Sequence, residues 1–508
     1  MEEIVVLSKG QFNLKTEPRL LEKDLKKEVL IGVLDLGTTS VRFLIFRLDG
    51  SIHSQSFEPI KQVYPRSGWV EEDLEEIWEK TKLAINKATE KGEVNPRNIL
   101  AIGITNQRES VAFWEKDSGM PCSNLIVWQD RRTAHKCRQL KEEGYENIVK
   151  QKTGLTIDPY FSATKIEWAL ENNPDIKNLA ETGKLAFGTV DSFIIFKLTG
   201  KHLTDYSNAS RTLLFNISNL CWDDELLEIF NVPKKILPKA LPCYGNGIFG
   251  KTKLDSPFRS EIPICCVFGD QQAALFGHRC FNKGDIKATF GTGSFIMVNT
   301  GKEKIISNNG LLSTIFYDNG KETLYALEGS IYNTGSVFQW LKEGLGIIGS
   351  YDEIEKLAAE IGYQKDLFMV PAFTGMGAPF WDPYARGLII GITRATSKNE
   401  IVKAAVDSMG YRTVDVIKAI KKDAEINISQ LSIDGGVTRN ELFCQVLADL
   451  SGIKIKKFDT EEITSMGAMY GAAIGVGVWN GPAEVKDNSS FKQYSPQISK
   501  KSREELYS

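Results

Sequence analysis

The feature that most restricts this chain's fold is a near repetition half of its 508 residues apart. The apolar run Val29 to Leu36 leads into Gly37-Thr38-Thr39-Ser40, and a second apolar stretch continues from Val41 to Phe46. Asp285 to Phe290 likewise leads into Gly291-Thr292-Gly293-Ser294, with Phe295 to Val298 following. Each copy reads as strand, tight turn, strand. Glycine lets successive backbone N–H groups converge, and Thr and Ser hydroxyls add donors, a concave set suited to phosphate oxygens. Either copy alone is an ordinary hairpin turn. One per half describes a duplicated architecture, with a nucleotide held between two related domains.

Composition narrows the function classes. A chain this long exceeds a single core and suits two large domains. With 62 Lys and Arg against 65 Asp and Glu, its net charge of −3 leaves no footprint for nucleic acid or anionic membrane. Eight cysteines without a C-x-x-C pair fit a reducing compartment. The start Met1-Glu2-Glu3 is acidic and lacks a long apolar segment, so no signal peptide is expected, and no run reaches membrane-spanning length. Met466 to Trp479, rich in Gly and Ala, reads as a tightly packed helix. A soluble cytoplasmic protein is expected.

Residues 1–29 are charged, with a short helix expected over Leu20 to Lys27, and form an extension outside the first domain. That domain is expected over 30–277, with helices at Asp73 to Ala88 and Ala163 to Asn172 and strands at Leu100 to Thr105 and Ile262 to Phe268. The second, over 278–485, opens with the 286–299 hairpin. Helices at Val337 to Gly344 and Lys398 to Ile420 and a strand at Gln430 to Ile433 follow. A polar tail, 486–508, ends in the opening of a helix near Arg503. Helices alternating with strands indicate an α/β fold with mixed sheets.

Gly245 to Thr252 satisfies the P-loop pattern G-x-x-x-x-G-K-T. A P-loop needs a strand before it and a helix after it. Pro238, Pro242 and Pro257 flank this segment, which therefore reads as a surface loop. At Leu431 to Asn440 a strand ends in Gly435-Gly436 before a helix, room for a flat adenine and its ribose or simply a turn. Asp270 closes the apolar run from Ile262 and precedes a helix: an N-cap, or a base accepting a hydroxyl proton in phosphoryl transfer. Arg108 and Glu109 follow the strand ending near Thr105. In an extended segment they point to opposite faces as a surface pair, whereas a loop could aim both at one polyol. His53, His135, His202 and His278 lack metal-ligand spacing, and Trp222, Trp340 and Trp381 read as core.

These stretches resemble the FGGY carbohydrate kinases, in order, over about residues 30 to 500. They include Asp35 to Ser40, Thr105-Asn106-Gln107-Arg108-Glu109, Val127 to Thr133 and Pro159 to Lys165. Gly269 to Gln272, Phe290 to Gly293, Ala326 to Gly329 and Ala378 to Gly387 continue the match. The resemblance implies two actin/hexokinase-like (ribonuclease H-like) domains flanking a nucleotide cleft. It implies transfer of the ATP γ-phosphoryl group to glycerol with Mg²⁺, a ketopentose being the alternative acceptor. By the same resemblance Thr38, Thr39, Ser40 and Arg42 form the first phosphate loop, and Gly291 and Thr292 the second. Gly335, Gln339, Gly436 and Asn440 complete the nucleotide contacts. Asp35 holds Mg²⁺ through water, and Asp270 is the base and also faces the metal. Arg108, Glu109, Tyr160, Asp270 and Gln271 bind the glycerol hydroxyls, while Trp128 and Phe295 flank its carbons. A homodimer or homotetramer is expected. No histidine lies in the loop from Trp222 to Lys235 where some bacterial relatives are phosphorylated.

Overall fold

A computed structural model of the chain describes residues 29–485 and 490–507. The helix expected over Leu20 to Lys27 lies outside these residues. The first sheet contains β1 (Leu30–Leu36), β2 (Ser40–Arg47), β3 (Ile52–Pro59), β4 (Ile99–Asn106) and β5 (Ile264–Gly269). They lie in the order β5-β4-β1-β2-β3, with β1 parallel to β4 and antiparallel to β2. The second sheet contains β6 (Ile286–Phe290), β7 (Ser294–Gly301), β8 (Leu312–Asp318) and β9 (Thr323–Ile331). Completing it are β10 (Gln430–Asp434), β11 (Lys454–Phe458) and β12 (Phe491–Tyr494). Its order is β8-β9-β7-β6-β10-β11-β12.

The duplication read in the sequence is therefore a duplication of topology. Strands β11-β10-β6-β7-β9 repeat β5-β4-β1-β2-β3, including the antiparallel hairpin and the parallel partner of its first strand. The central strands β1 and β4 are almost wholly apolar because helices cover both faces, as parallel strands require. Edge strand β3 is mostly polar, with Ser54 and Glu58 its buried positions, and ends at Pro59, which a central ladder would not accept.

Helices follow local signals. Asp73 caps α1 (Leu74–Lys91) by accepting from the Glu75 and Glu76 N–H groups. A Ser397–Glu400 capping box starts α4 (Lys398–Ala424), which runs four residues beyond its expected end. Between these, α2 is Ser162–Asn172 and α3 is Asp270–Gly277. After them come α5 (Glu441–Ser451) and α6 (Ile463–Val476). The helix expected from Val337 begins at Gly335 and widens into a π-turn over Trp340–Gly344.

Helices α3 and α6 lie between the two sheets. Their core joins Ile31, Val33 and Phe46 of the first sheet to Met297, Phe316 and Tyr317 of the second. Although α6 comes late in sequence, it packs on β1, β4 and β5. The two helices cross backbone to backbone: a Cβ at Gly467 would stand 1.8 Å from the Ala273 carbonyl oxygen. This close approach explains the Gly/Ala composition of the 466–479 segment.

The P-loop-like segment has neither required flank. No strand enters it and no helix leaves it; Lys251 is exposed and bridges to Pro263. The expected surface loop is nonetheless pinned, since Phe249 and Thr252 are buried. All eight cysteines are free thiols. Among the described residues no helix is long and apolar enough to cross a membrane.

Candidate active site

The expected polyol residues converge where β4 and β5 end side by side. The chain leaves β4 at Asn106, and Glu109 adopts a left-handed backbone conformation with φ of 63°. This single turn removes the opposite-face geometry of an extended strand, and both Arg108 and Glu109 are buried. Arg108 Nε stands 3.1 Å from Asp270 Oδ1. Asp270 opens α3, capped by Gly269, and is itself one third exposed, the only open member of this charged group. Its Oδ1 accepts from the Gln271 N–H at 2.7 Å. Lys287 on β6 donates to Gln271 Oε1, so the Gln271 amide nitrogen faces Asp270 Oδ2 at 3.3 Å.

Aromatic rings wall the same space. Trp128 meets Tyr160 and Phe295 edge-on, with centroids 5.7 and 6.3 Å apart. Phe295 lies 5.8 Å from the Arg108 guanidinium carbon. Trp128 also donates its indole N–H to Thr38 Oγ1 at 3.0 Å, which ties this wall to the first Gly-Thr turn.

The two turns are each closed by a short backbone bond, Gly37 N to Ser40 O at 3.0 Å and Gly291 N to Gly293 O at 2.9 Å. Around the second turn, Gly335 N donates to Gly291 O at 2.9 Å and Ser336 N to Thr292 O at 3.2 Å. Gly435 has φ of 96° and lies so near Phe290 that a Cβ would stand 2.4 Å from its carbonyl oxygen, while the Cβ direction of Gly436 is open. A flat ligand can approach only such a surface. Gln339 bonds Glu343, and Asn440 caps α5 by accepting from the Phe443 N–H. A short 3₁₀ turn, Gly436–Arg439, separates the Gly-Gly pair from that helix.

Several side chains that hold the expected site residues carried no role in the sequence. Ser465 of α6 donates to Asp35 Oδ2 at 2.9 Å, and Glu462 pairs with Arg42 at 3.1 Å. Burial pushes the Asp35 carboxyl up to about 6 against the opposing pull of Arg42, and the Asp270 charge contributes to the rise. Arg211 and Glu328 join Arg108 and Glu109 in one buried charged group. A glutamate or lysine inside an otherwise apolar strand, as in Thr323–Ile331 or Ile286–Phe290, was the available signal. For Arg211 there was none.

Two carboxylates near one another, with one open to solvent, are the protein's share of a typical Mg²⁺ site that a nucleotide's own oxygens and water complete. Asp35 and Asp270 fit that description: each is near the other's charge, and Asp270 retains an open face.

Comparisons agree with this geometry. The model of the FGGY family of carbohydrate kinases, N-terminal domain, matches residues 30–277, and that of the C-terminal domain matches 286–476. Glycerol kinase 2 of Sulfolobus acidocaldarius is 48% identical, with 95% of this chain and 96% of that protein covered. Glycerol kinase 2 of Thermotoga maritima is 46% identical, covering 94% and 96%. The crystal structure of Plasmodium falciparum glycerol kinase with ADP superposes with a TM-score of 0.87 at 32% identity, covering 94% of this chain and 96% of that one. The chain belongs to the FGGY family of carbohydrate kinases.

Proposed function

We propose that this protein transfers the γ-phosphoryl group of ATP to a terminal hydroxyl of glycerol, giving sn-glycerol 3-phosphate. The observation that carries the reading is the adjacency of Arg108, Glu109 and Asp270 inside a wall of Trp128, Tyr160 and Phe295. Glycerol is small, so its affinity must come from paired hydroxyls and a dry carbon wall. Arg108 and Glu109 offer donors and acceptors to two neighbouring hydroxyls, and Gln271 holds a third. Asp270 accepts the proton of the attacking hydroxyl. Phosphoryl transfer has a loose transition state, so positioning and charge neutralisation dominate. Thr38, Thr39, Ser40 and Arg42 on one side, and Gly291 and Thr292 on the other, would hold the phosphates. Gly335, Gln339, Gly436 and Asn440 would line the nucleoside. Mg²⁺, held through Asp35 by water and facing Asp270, would supply charge neutralisation between the phosphates.

The domain assignment that goes with this reading is 30–277 for glycerol and the first phosphate loop and 278–485 for the nucleotide. Cytoplasmic location accords with eight free thiols. A homodimer or homotetramer accords with the exposed row Leu388, Ile390 and Ile392 at a strand edge.

A coupled assay over a polyol panel tests the substrate. A pocket built to pair hydroxyls rejects mismatched analogues by about 10⁴ or more, so glycerol should exceed xylulose and ribulose in kcat/KM by that order. Comparable values would move the protein to the ketopentose reading. Asp270→Asn should lower kcat by about 10²–10⁴ while ATP still binds.

A further inference from the structure

Beneath the polyol wall lies a closed ring of four charges drawn from both halves of the chain. Glu328 on β9 accepts from Arg108 Nη1 at 2.6 Å and Nη2 at 3.2 Å. Its Oε1 also accepts from Arg211 Nη2 at 2.9 Å, and Arg211 Nε donates to Glu109 Oε1 at 2.6 Å. Glu109 Oε1 returns to within 3.8 Å of Arg108 Nε, which closes the ring. All four side chains are at most 2% exposed. Burial favours a neutral Glu328, but the Arg108 and Arg211 guanidiniums outweigh it and hold the carboxyl down at about 2.

Such a ring is a poor device for stability. Buried ion pairs lose on desolvation most of what they gain by attraction, and apolar replacements of similar volume are often as stable. This one also leaves Arg211 Nη1 buried without a hydrogen-bond partner, a further penalty. What the ring does provide is orientation. Arg108 has one guanidinium face committed to Glu328, which leaves its Nε side toward Asp270. Glu109 sits in a strained left-handed conformation, and Arg211 fixes its carboxylate.

We infer that Arg211 and Glu328 are positioning residues for the polyol: neither touches it, and together they set the two side chains, Arg108 and Glu109, that do. The inference rests on the reading of Arg108 and Glu109 as the substrate contacts. Because Glu328 belongs to the second sheet and the other three to the first half, the polyol site is complete only while β9 stands against the β4 loop. Three residues past the end of β9 at Ile331, the Thr334 N–H bonds Thr292 O, so the chain that carries Glu328 continues directly into the support of the second Gly-Thr turn.

The test uses the full-length protein and three variants. Arg211→Met/Glu328→Leu removes one charge of each sign and leaves Arg108 and Glu109 to pair with each other. Its melting temperature should stay within a few degrees of the parent or rise. Its KM for glycerol should increase by about 10²-fold, the size expected for a misplacement near 1 Å, with the ATP KM within twofold. Arg211→Lys retains the charge and loses the fork, so it should fall between parent and double variant in glycerol KM. Arg108→Ala is the control for the underlying reading. If Arg108→Ala weakens glycerol use but the folded double variant and Arg211→Lys keep the parent's glycerol KM, the positioning role is refuted and the site reading stands. If Arg108→Ala itself leaves glycerol KM unchanged, the site reading has failed. Should the double variant not fold, Arg211→Lys decides alone: a parental glycerol KM overturns the inference.

Discussion

The crossing of α3 and α6 makes the substitution Gly467→Ala a severe one. The added Cβ would stand 1.8 Å from the Ala273 oxygen, 2.7 Å from its carbonyl carbon and 2.9 Å from the Gly277 nitrogen. Favourable contacts between heavy atoms lie near 3.5 Å, so the helices must part by more than about 1 Å. Each of these neighbours is backbone, and none can rotate away. Helix propensity favours Ala over Gly by about 1 kcal/mol, whereas overpacking typically costs about 1–3 kcal/mol and rigid neighbours put this site at the upper end. A net loss of about 2 kcal/mol follows, which lowers Tm by about 5 °C. The effect on turnover should be larger than the effect on stability, because α3 begins with Asp270. Displacing a catalytic group by about 1 Å costs about 10²-fold. Gly362→Ala, where a Cβ meets nothing within 4 Å, is the control and should melt like the parent. Thermal melting and kcat at saturating ATP and glycerol measure both effects. A Gly467→Ala protein with parental Tm and parental kcat would show that the crossing is not held as described.

Two further outcomes are expected. Lys251→Ala should leave kcat and the ATP KM unchanged, because Lys251 is exposed on a segment with no helix behind it, whereas Thr292→Val should damage both; a severe Lys251→Ala defect would relocate the nucleotide. Glu72, which accepts from Gln107 beneath the first Gly-Thr turn, is pushed up to about 7 by burial. Its folded value lies above its unfolded one, so its contribution is fully present below about pH 4.5 and is lost as pH rises through about 7, by up to about 3 kcal/mol. Glu72→Gln cannot ionise and should flatten the decline in Tm between about pH 5 and pH 9; parallel curves for the two proteins would refute this.

The hairpins were legible because their signal is local: a Gly-Thr turn between apolar runs needs no distant partner. Asp270 was legible for the same reason, as a carboxylate closing a buried strand. Arg108 and Glu109 were only half legible. Whether they share a face depends on one residue, Glu109, taking a left-handed conformation for which glutamate carries no composition signal. Arg211 meets Glu109 across 102 positions and Glu328 across 117, and Arg42 meets Glu462 across 420. No periodicity reports such pairings. The small residues of α6 announced close packing, but nothing in them named the first sheet as the surface they pack on.

These distant pairings have a common direction. Asp35 is bonded by Ser465, Arg42 by Glu462, Arg108 by Glu328, and Gln271 by Lys287. In each pair a proposed site residue from the first repeat is held by a residue from the second. Hydrophobic contact between the sheets could join the repeats without any of these bonds, since it is non-directional. Directional bonds do something else: they make the orientation of each of these side chains depend on the placement of the opposite repeat. Removing Glu328 from the joined halves would leave Arg108 and Arg211 buried without it, and an orphaned buried charge typically costs about 3–5 kcal/mol. Duplication alone gives two similar Gly-Thr turns. Cross-holding is what makes their spacing, and the proposed polyol site between them, a property of the pair.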